Sequence, residues 1–212
     1  MPLFPLGVVL FPHMPLGLHI FEERYRAMMR DCQEAGSSFG IAAIREGFEV
    51  GGGAEPYEVG TLAQLLEVKP LDDGGYDLVV SGASRFRIED VSQQRPYPVA
   101  AVRYLEDVSG SPQELARLTP LVTRTFVAYV EGLRRWSSEA VPDLDLPEDP
   151  ELLSYIVAAA LEADTPSKQQ LLEVDSAAER LRRCLKLLRR EIAFLERGLV
   201  HRESRLVSIA AN

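Results

Sequence analysis

The stretch PLFPLGVVLFPHMPLGLHIFEERYRAMMRDC, residues 2–32, decides how the chain begins to fold. Met1 to Phe21 carries no Asp, Glu, Lys or Arg, and charge begins abruptly at Glu22. A run this apolar invites a membrane or export reading. Pro2, Pro5, Pro12 and Pro15 oppose it, because each removes a backbone donor and obstructs a helix. No basic segment leads into it, so a signal peptide fits poorly. What remains is a folded N-terminus: two short buried strands, 8–11 and 18–20, feeding directly into a helix over 20–35. In that helix Ile20, Arg24, Met28 and Cys32 recur at i, i+4, with Phe21, Tyr25 and Met29 beside them, as a helix packed on one face requires.

Working outward, the first half reads as strands. Residues 39–44 form a short apolar run, and a Gly-rich loop (Gly51, Gly52, Gly53) leads to a long strand over 57–69. Asp73-Gly74 is a hairpin signal before a strand at 76–80. A turn is expected at 81–84, centred on Gly82. In 85–89, Phe86 and Ile88 alternate with charge, as a half-buried strand requires, and 97–105 adds one more. Short strands joined by tight turns predict a small barrel or a strongly coiled sheet. Near Ser109 the apolar period changes from 2 to 3.6. Ser111-Pro112-Gln113-Glu114 is a helix start, with Ser at the N-cap, Pro at N1 and Glu at N3. This helix should run toward Trp136, kinked or interrupted near Pro120. A connector over 141–147 follows. Further helices open at Asp149-Pro150, Thr165-Pro166 and Ser176, the last running to about Gly198 or beyond. The expected class is α+β, with a β-barrel over 1–108 and a helical bundle over 109–212.

Composition bounds the function. The chain has 212 residues, 46% of them hydrophobic and 26% charged, which is ordinary for a globular protein with a real core. A net charge of −9 argues against a nucleic-acid partner, since phosphate binding needs clustered positive charge. The two cysteines, Cys32 and Cys184, make no C-x-x-C pair. A reduced, cytoplasmic protein without metal, cofactor or membrane contact is the plain expectation.

The search for chemistry returns decoys. Gly36-Ser37-Ser38-Phe39-Gly40 matches G-x-S-x-G, but a hydrolase needs that serine on a strand-to-helix turn, and here the order is helix to strand. His201 is the one histidine downstream of it. The Gly51–Gly53 run lacks the Lys-Ser/Thr of a phosphate-binding loop. His13, His19 and His201 have no metal-ligand spacing, and a structural imidazole is the better reading of His19. Glu22-Glu23 and Asp72-Asp73 are neighbours in sequence, and a solvated surface explains them better than acid–base catalysis. In the last helix Leu181, Leu185, Leu188, Ile192, Leu195 and Leu199 form a heptad seam. Burial against the chain's own helices is favoured over a coiled coil, which leaves a monomer or a weak homodimer through that helix. Its arginines make a solvated face with local pairs such as Glu179 with Arg183.

The opening residues resemble the substrate-binding N-terminal domain of Lon proteases. The resemblance is carried by Pro2-Leu3-Phe4-Pro5-Leu6, Val9-Leu10-Phe11-Pro12 and Leu18-His19-Ile20-Phe21-Glu22-Glu23-Arg24-Tyr25. Gly17 stands where that family usually has proline. Val59-Gly60-Thr61-Leu62-Ala63 and Val80-Ser81-Gly82-Ala83-Ser84-Arg85-Phe86-Arg87 add two later signatures, and Lys168-Gln169-Gln170-Leu171-Leu172-Glu173 extends it into the helical half. The resemblance implies a PUA-like barrel joined to a helical bundle, and a role in recognising unfolded or tagged polypeptides. In the full-length protease this region precedes an ATPase and a serine–lysine peptidase module. The chain stops at Asn212, before either, so neither activity is expected. The implied function is non-catalytic polypeptide binding, as an adaptor or holdase, with a full-length protease as a further partner. The alternatives are an RNA-binding PUA-like protein and a small hydrolase. Extended peptides are held by an open strand edge or an apolar groove. Phe11, Met14, Leu16, Phe21 and Tyr25 are the apolar candidates for such a site. Arg24 and Arg85 are its polar candidates, with bracing of a loop or pairing with a carboxylate as their other role.

Overall fold

The computed structural model describes residues 1–137 and 145–210, with side chains described for 1–135 and 145–197. The expected connector at 141–147 lies partly outside them, as do the side chains of Leu199 and His201. The class is α+β, and the described chain divides into two compact units: Met1–Val108 with Ala163–Asp175, and Ser109–Glu162 with the residues from Ser176 onward. The sequence reading places everything after residue 108 with the helices; the structure groups Ala163–Asp175 with the sheet.

In the first unit the strands are β1 (Leu3–Leu6), β2 (Pro15–Ile20), β3 (Phe39–Glu46), β4 (Glu55–Pro56), β5 (Val59–Pro70), β6 (Tyr76–Ser92) and β7 (Val99–Tyr104). Among the described residues they form one sheet in the order β1-β3-β5-β6-β2, with β4 on β3 and β7 on β6. β1 runs parallel to β3, and the other pairs are antiparallel. The sheet is not closed, which corrects the expected barrel. The N-terminus reaches β7 through one isolated bridge, Pro2 to Val99, rather than a ladder. Proline at 98 contributes to this, because it lacks the N–H that would return the bond Leu3 N gives to its carbonyl.

Residues 8–11, read as a strand, instead form a loop that is buried only at its second half. Apolarity there serves packing: Leu10 and Phe11 are core residues. The Thr61 hydroxyl donates to the Leu10 carbonyl at 2.7 Å, replacing the ladder bonds the loop lacks. The turn expected at 81–84 is also absent, and β6 runs unbroken through Gly82. Its amide donates to Met14 O at 3.0 Å and its carbonyl accepts from His13 N at 2.8 Å. A Cβ at Gly82 would stand 2.1 Å from the Phe11 carbonyl, so glycine here marks close approach rather than a turn.

Helix α1 (Glu23–Ala35) buries Tyr25, Met28, Met29 and Cys32 and ends on left-handed Gly36 at φ 58°. These residues join Phe4, Leu6, Ile20, Phe39 and Ile41 in the main core. Helix α4 (Thr165–Leu172), capped by Asp164, is tied to β5 by the buried Gln169 amide, which donates to Val59 O at 3.0 Å.

In the second unit α2 (Pro112–Ser137) runs through Pro120 as one helix. One backbone bond is lost there, and burial of Leu118, Val122, Phe126 and Tyr129 along the same helix outweighs it. Asp149 caps α3 (Pro150–Ala160) by accepting from Glu151 N and Leu152 N. In α5 (Ala177–Ala210), Leu181, Leu185, Leu188 and Leu195 are buried against this unit's own helices. Arg180 is fully buried, its guanidinium 3.9 Å from the Tyr155 ring centre and its Nη1 donating to Ser154 Oγ at 2.9 Å.

Candidate functional site

The sequence-nominated residues separate into three groups. Phe11, Tyr25 and Arg85 are interior, at 1%, 3% and 1% exposure. Tyr25 packs its ring 4.2 Å from that of Phe4, and burial pushes its phenol pKa up to about 12. Arg85 is enclosed by acceptors. Its Nη1 donates to Leu172 O at 2.9 Å, and its Nη2 lies 3.2 Å from both Asp107 Oδ1 and Asp175 Oδ1. A guanidinium with five donors suits this position, since it satisfies two carboxylates and two carbonyls at once. Its work is to clamp β6 to the segments at 106–107 and 172–175, all within the first unit.

Arg24 has a different place. It lies over the Tyr25 ring at 4.4 Å, pairs with Glu22 at 3.1 Å and donates to Glu49 O at 3.1 Å. Glu22 in turn accepts from Gly51 N at 3.3 Å, and the Glu49 carboxylate accepts from Gly7 N at 2.8 Å. Gly7 O accepts from the Thr165 hydroxyl at 3.2 Å. This network pins the loop 47–53 to the body of the first unit. The loop doubles back tightly: Gly47 sits at φ 91°, and a Cβ there would be 2.6 Å from Gly53 O.

The pinned loop holds apolar side chains outward. Phe48 is 80% exposed and Val50 59%, and Val8, next to the Gly7 contact, is 48% exposed. The hydrogen bond between Gly7 and Glu49 brings these two stretches of chain together. The sequence reading passed over Val8, Phe48 and Val50. The available signal was two bulky apolar residues inside a Gly-rich loop, where solubility alone would favour polar ones.

The last group lies along β2. Met14 and Leu16 are half-buried, and Phe21 is exposed with its ring stacked on His19 at 6.0 Å. His19 Nδ1 is 2.8 Å from Asp77 Oδ1 on the facing strand. Ser38 sits in the loop between α1 and β3. Among the described residues no group of three or more His, Cys, Asp or Glu side chains is placed to hold a metal. No described helix is long and apolar enough to cross a membrane.

Residues 1–190 match the family described as the ATP-dependent protease La (LON) substrate-binding domain. The Lon protease of Brevibacillus choshinensis is 27% identical over 206 residues, which cover 95% of this chain and 26% of that protein. The Lon protease of Azospirillum brasilense is 28% identical over 197 residues, covering 92% of this chain and 24% of the other. The chain thus spans about a quarter of the length of the curated relatives it matches. A crystal structure of a Lon N-terminal domain protein from Xanthomonas campestris matches with a TM-score of 0.64 at 26% identity, covering 88% of this chain and 96% of that one. The N-terminal domain of Mycobacterium avium complex Lon protease shares the fold, with a TM-score of 0.66 at 20% identity over 88% of this chain and 96% of that one.

Proposed function

Because the chain belongs to the Lon substrate-binding domain family, we propose that it binds unfolded or tagged polypeptide segments and holds them without chemical change, as an adaptor or holdase. The observation that carries this reading is the outward display of Phe48, Val50 and Val8 on loops that Arg24, Glu22 and Glu49 fix in place. Folding gains nothing from an exposed phenylalanine, whereas covering it with a partner recovers roughly 1.5–3 kcal/mol per large apolar side chain. Fixing the loop beforehand lowers the ordering cost of association. Tyr25 supports this surface through the Arg24 guanidinium stacked on its ring, Phe11 and Arg85 brace the sheet unit elsewhere, and Met14, Leu16 and Phe21 offer further partly exposed apolar area along β2. A client presented this way is available to a full-length protease.

The test is fluorescence anisotropy with a reduced and alkylated, permanently unfolded polypeptide. The wild-type chain binds it, and the bound polypeptide is recovered uncleaved. Replacing Phe48 and Val50 together by serine weakens binding by about tenfold or more, as loss of a central apolar anchor does. Absence of wild-type binding, or an unchanged affinity in the folded double variant, refutes the reading.

A further inference from the structure

β2 is an end strand whose open edge has a definite chemistry. Among the described residues it pairs with β6 alone. The Gly82 amide donates to Met14 O at 3.0 Å, so Pro15 and Ser81 form a pair that exchanges no bonds with each other. By strict alternation Leu16, Leu18 and Ile20 bond to Val80, Leu78 and Tyr76. The backbone groups of Pro15, Gly17 and His19 therefore point away from β6. All three residues are exposed, and a Cβ built on Gly17 would meet nothing within 4 Å. The edge presents the carbonyls of Pro15, Gly17 and His19 and the amides of Gly17 and His19. At its centre the exposed Gly17 has no side chain of its own to screen them.

Resting on the polypeptide-binding reading above, we propose that an extended segment of the client adds to β2 as a further strand. The outward groups recur every second residue, roughly 6.6–6.8 Å apart, a repeat that another extended backbone reproduces. Side-chain recognition accompanies it: Phe21, just past the end of the strand, offers an exposed aromatic face. The chain's net charge of −9 favours a basic segment and opposes pairing with a second copy of the same chain. Natural sheets block open edges with proline or charge, and on β2 such a block stands only at the first residue, Pro15. Here the central position is glycine.

Gly17→Pro tests the idea. Proline deletes the outward donor while leaving the bonds to β6 intact, because residue 17 makes none of them. Gly17→Ala keeps the donor, and its methyl enters open space. With the same unfolded polypeptide, Gly17→Pro is expected to raise the Kd about tenfold or more, and Gly17→Ala to leave it near the wild-type value. Amide exchange followed by NMR supplies a second readout on the unaltered chain: Gly17 and His19 amides become protected when the polypeptide binds. Unchanged affinity in a folded Gly17→Pro variant, or unprotected Gly17 and His19 amides in the complex, overturns the strand addition. If the Phe48/Val50 variant still loses binding in that case, the polypeptide-binding reading survives without it. A wild-type dimer that Gly17→Pro dissociates in sedimentation would assign the edge to self-pairing and also overturn the proposal. Absence of any wild-type binding removes both.

Discussion

Arg85 shows how far one residue reaches. Its guanidinium is sealed from water and holds Asp107, Asp175 and the carbonyls of Glu106 and Leu172, joining three segments distant in sequence. Removing one member of a buried ionic network leaves its partners uncompensated and typically costs about 3–5 kcal/mol. Asp175 is largely exposed, so part of that cost is relieved by water and the lower end applies. Arg85→Met is expected to lose about 3 kcal/mol in a urea titration with an unchanged loop surface. A loss below about 1 kcal/mol would show that the clamp is incidental. In the sequence Arg85 was legible as a notable residue within an alternating strand, but its partners lie up to 90 residues away and no local pattern names them. Gly82 was misread as a turn for a related reason. Its requirement for glycine comes from the Phe11 carbonyl, a tertiary contact that periodicity does not carry.

At the scale of elements, local chemistry was the reliable guide. The signals Asp149-Pro150 and Thr165-Pro166 located α3 and α4 closely, since caps and first-turn prolines act within one turn; the cap of α4 is Asp164, one residue before the expected start. The heptad seam of α5 was legible too, and its burial within its own unit was the favoured outcome. What failed was the distinction between a buried strand and a partly buried loop at 8–11, because both carry apolar side chains and hydrogen bonding separates them. Barrel closure failed likewise, since it depends on whether two distant edges form a ladder. The pinned loop 47–53 escaped because its apolar residues have no period at all. The α5 seam makes its own prediction. Leu188 is fully buried, so Leu188→Ala should cost about 2–5 kcal/mol in thermal or urea unfolding and leave the sedimentation behaviour of the folded chain unchanged. A change in oligomeric state with little loss of stability would instead place that seam at an interface between copies.

For the molecule as a whole, the two units divide the work. The helical unit is held together by its buried seam and the Arg180–Tyr155–Ser154 cluster. The sheet unit carries the exposed apolar loop and the open β2 edge. On the proposed reading that surface holds an extended chain in two ways: apolar side chains for the client's side chains, and backbone groups for the client's backbone. The family relationship supports polypeptide recognition, and the geometry supports the sheet unit as its seat. Photo-crosslinking tests this most directly. A benzophenone amino acid at position 48, and separately at exposed position 186 on α5, is irradiated with the unfolded polypeptide bound. The account predicts covalent adducts from position 48 and essentially none from position 186; equal yields from both, or adducts from position 186 alone, would contradict it.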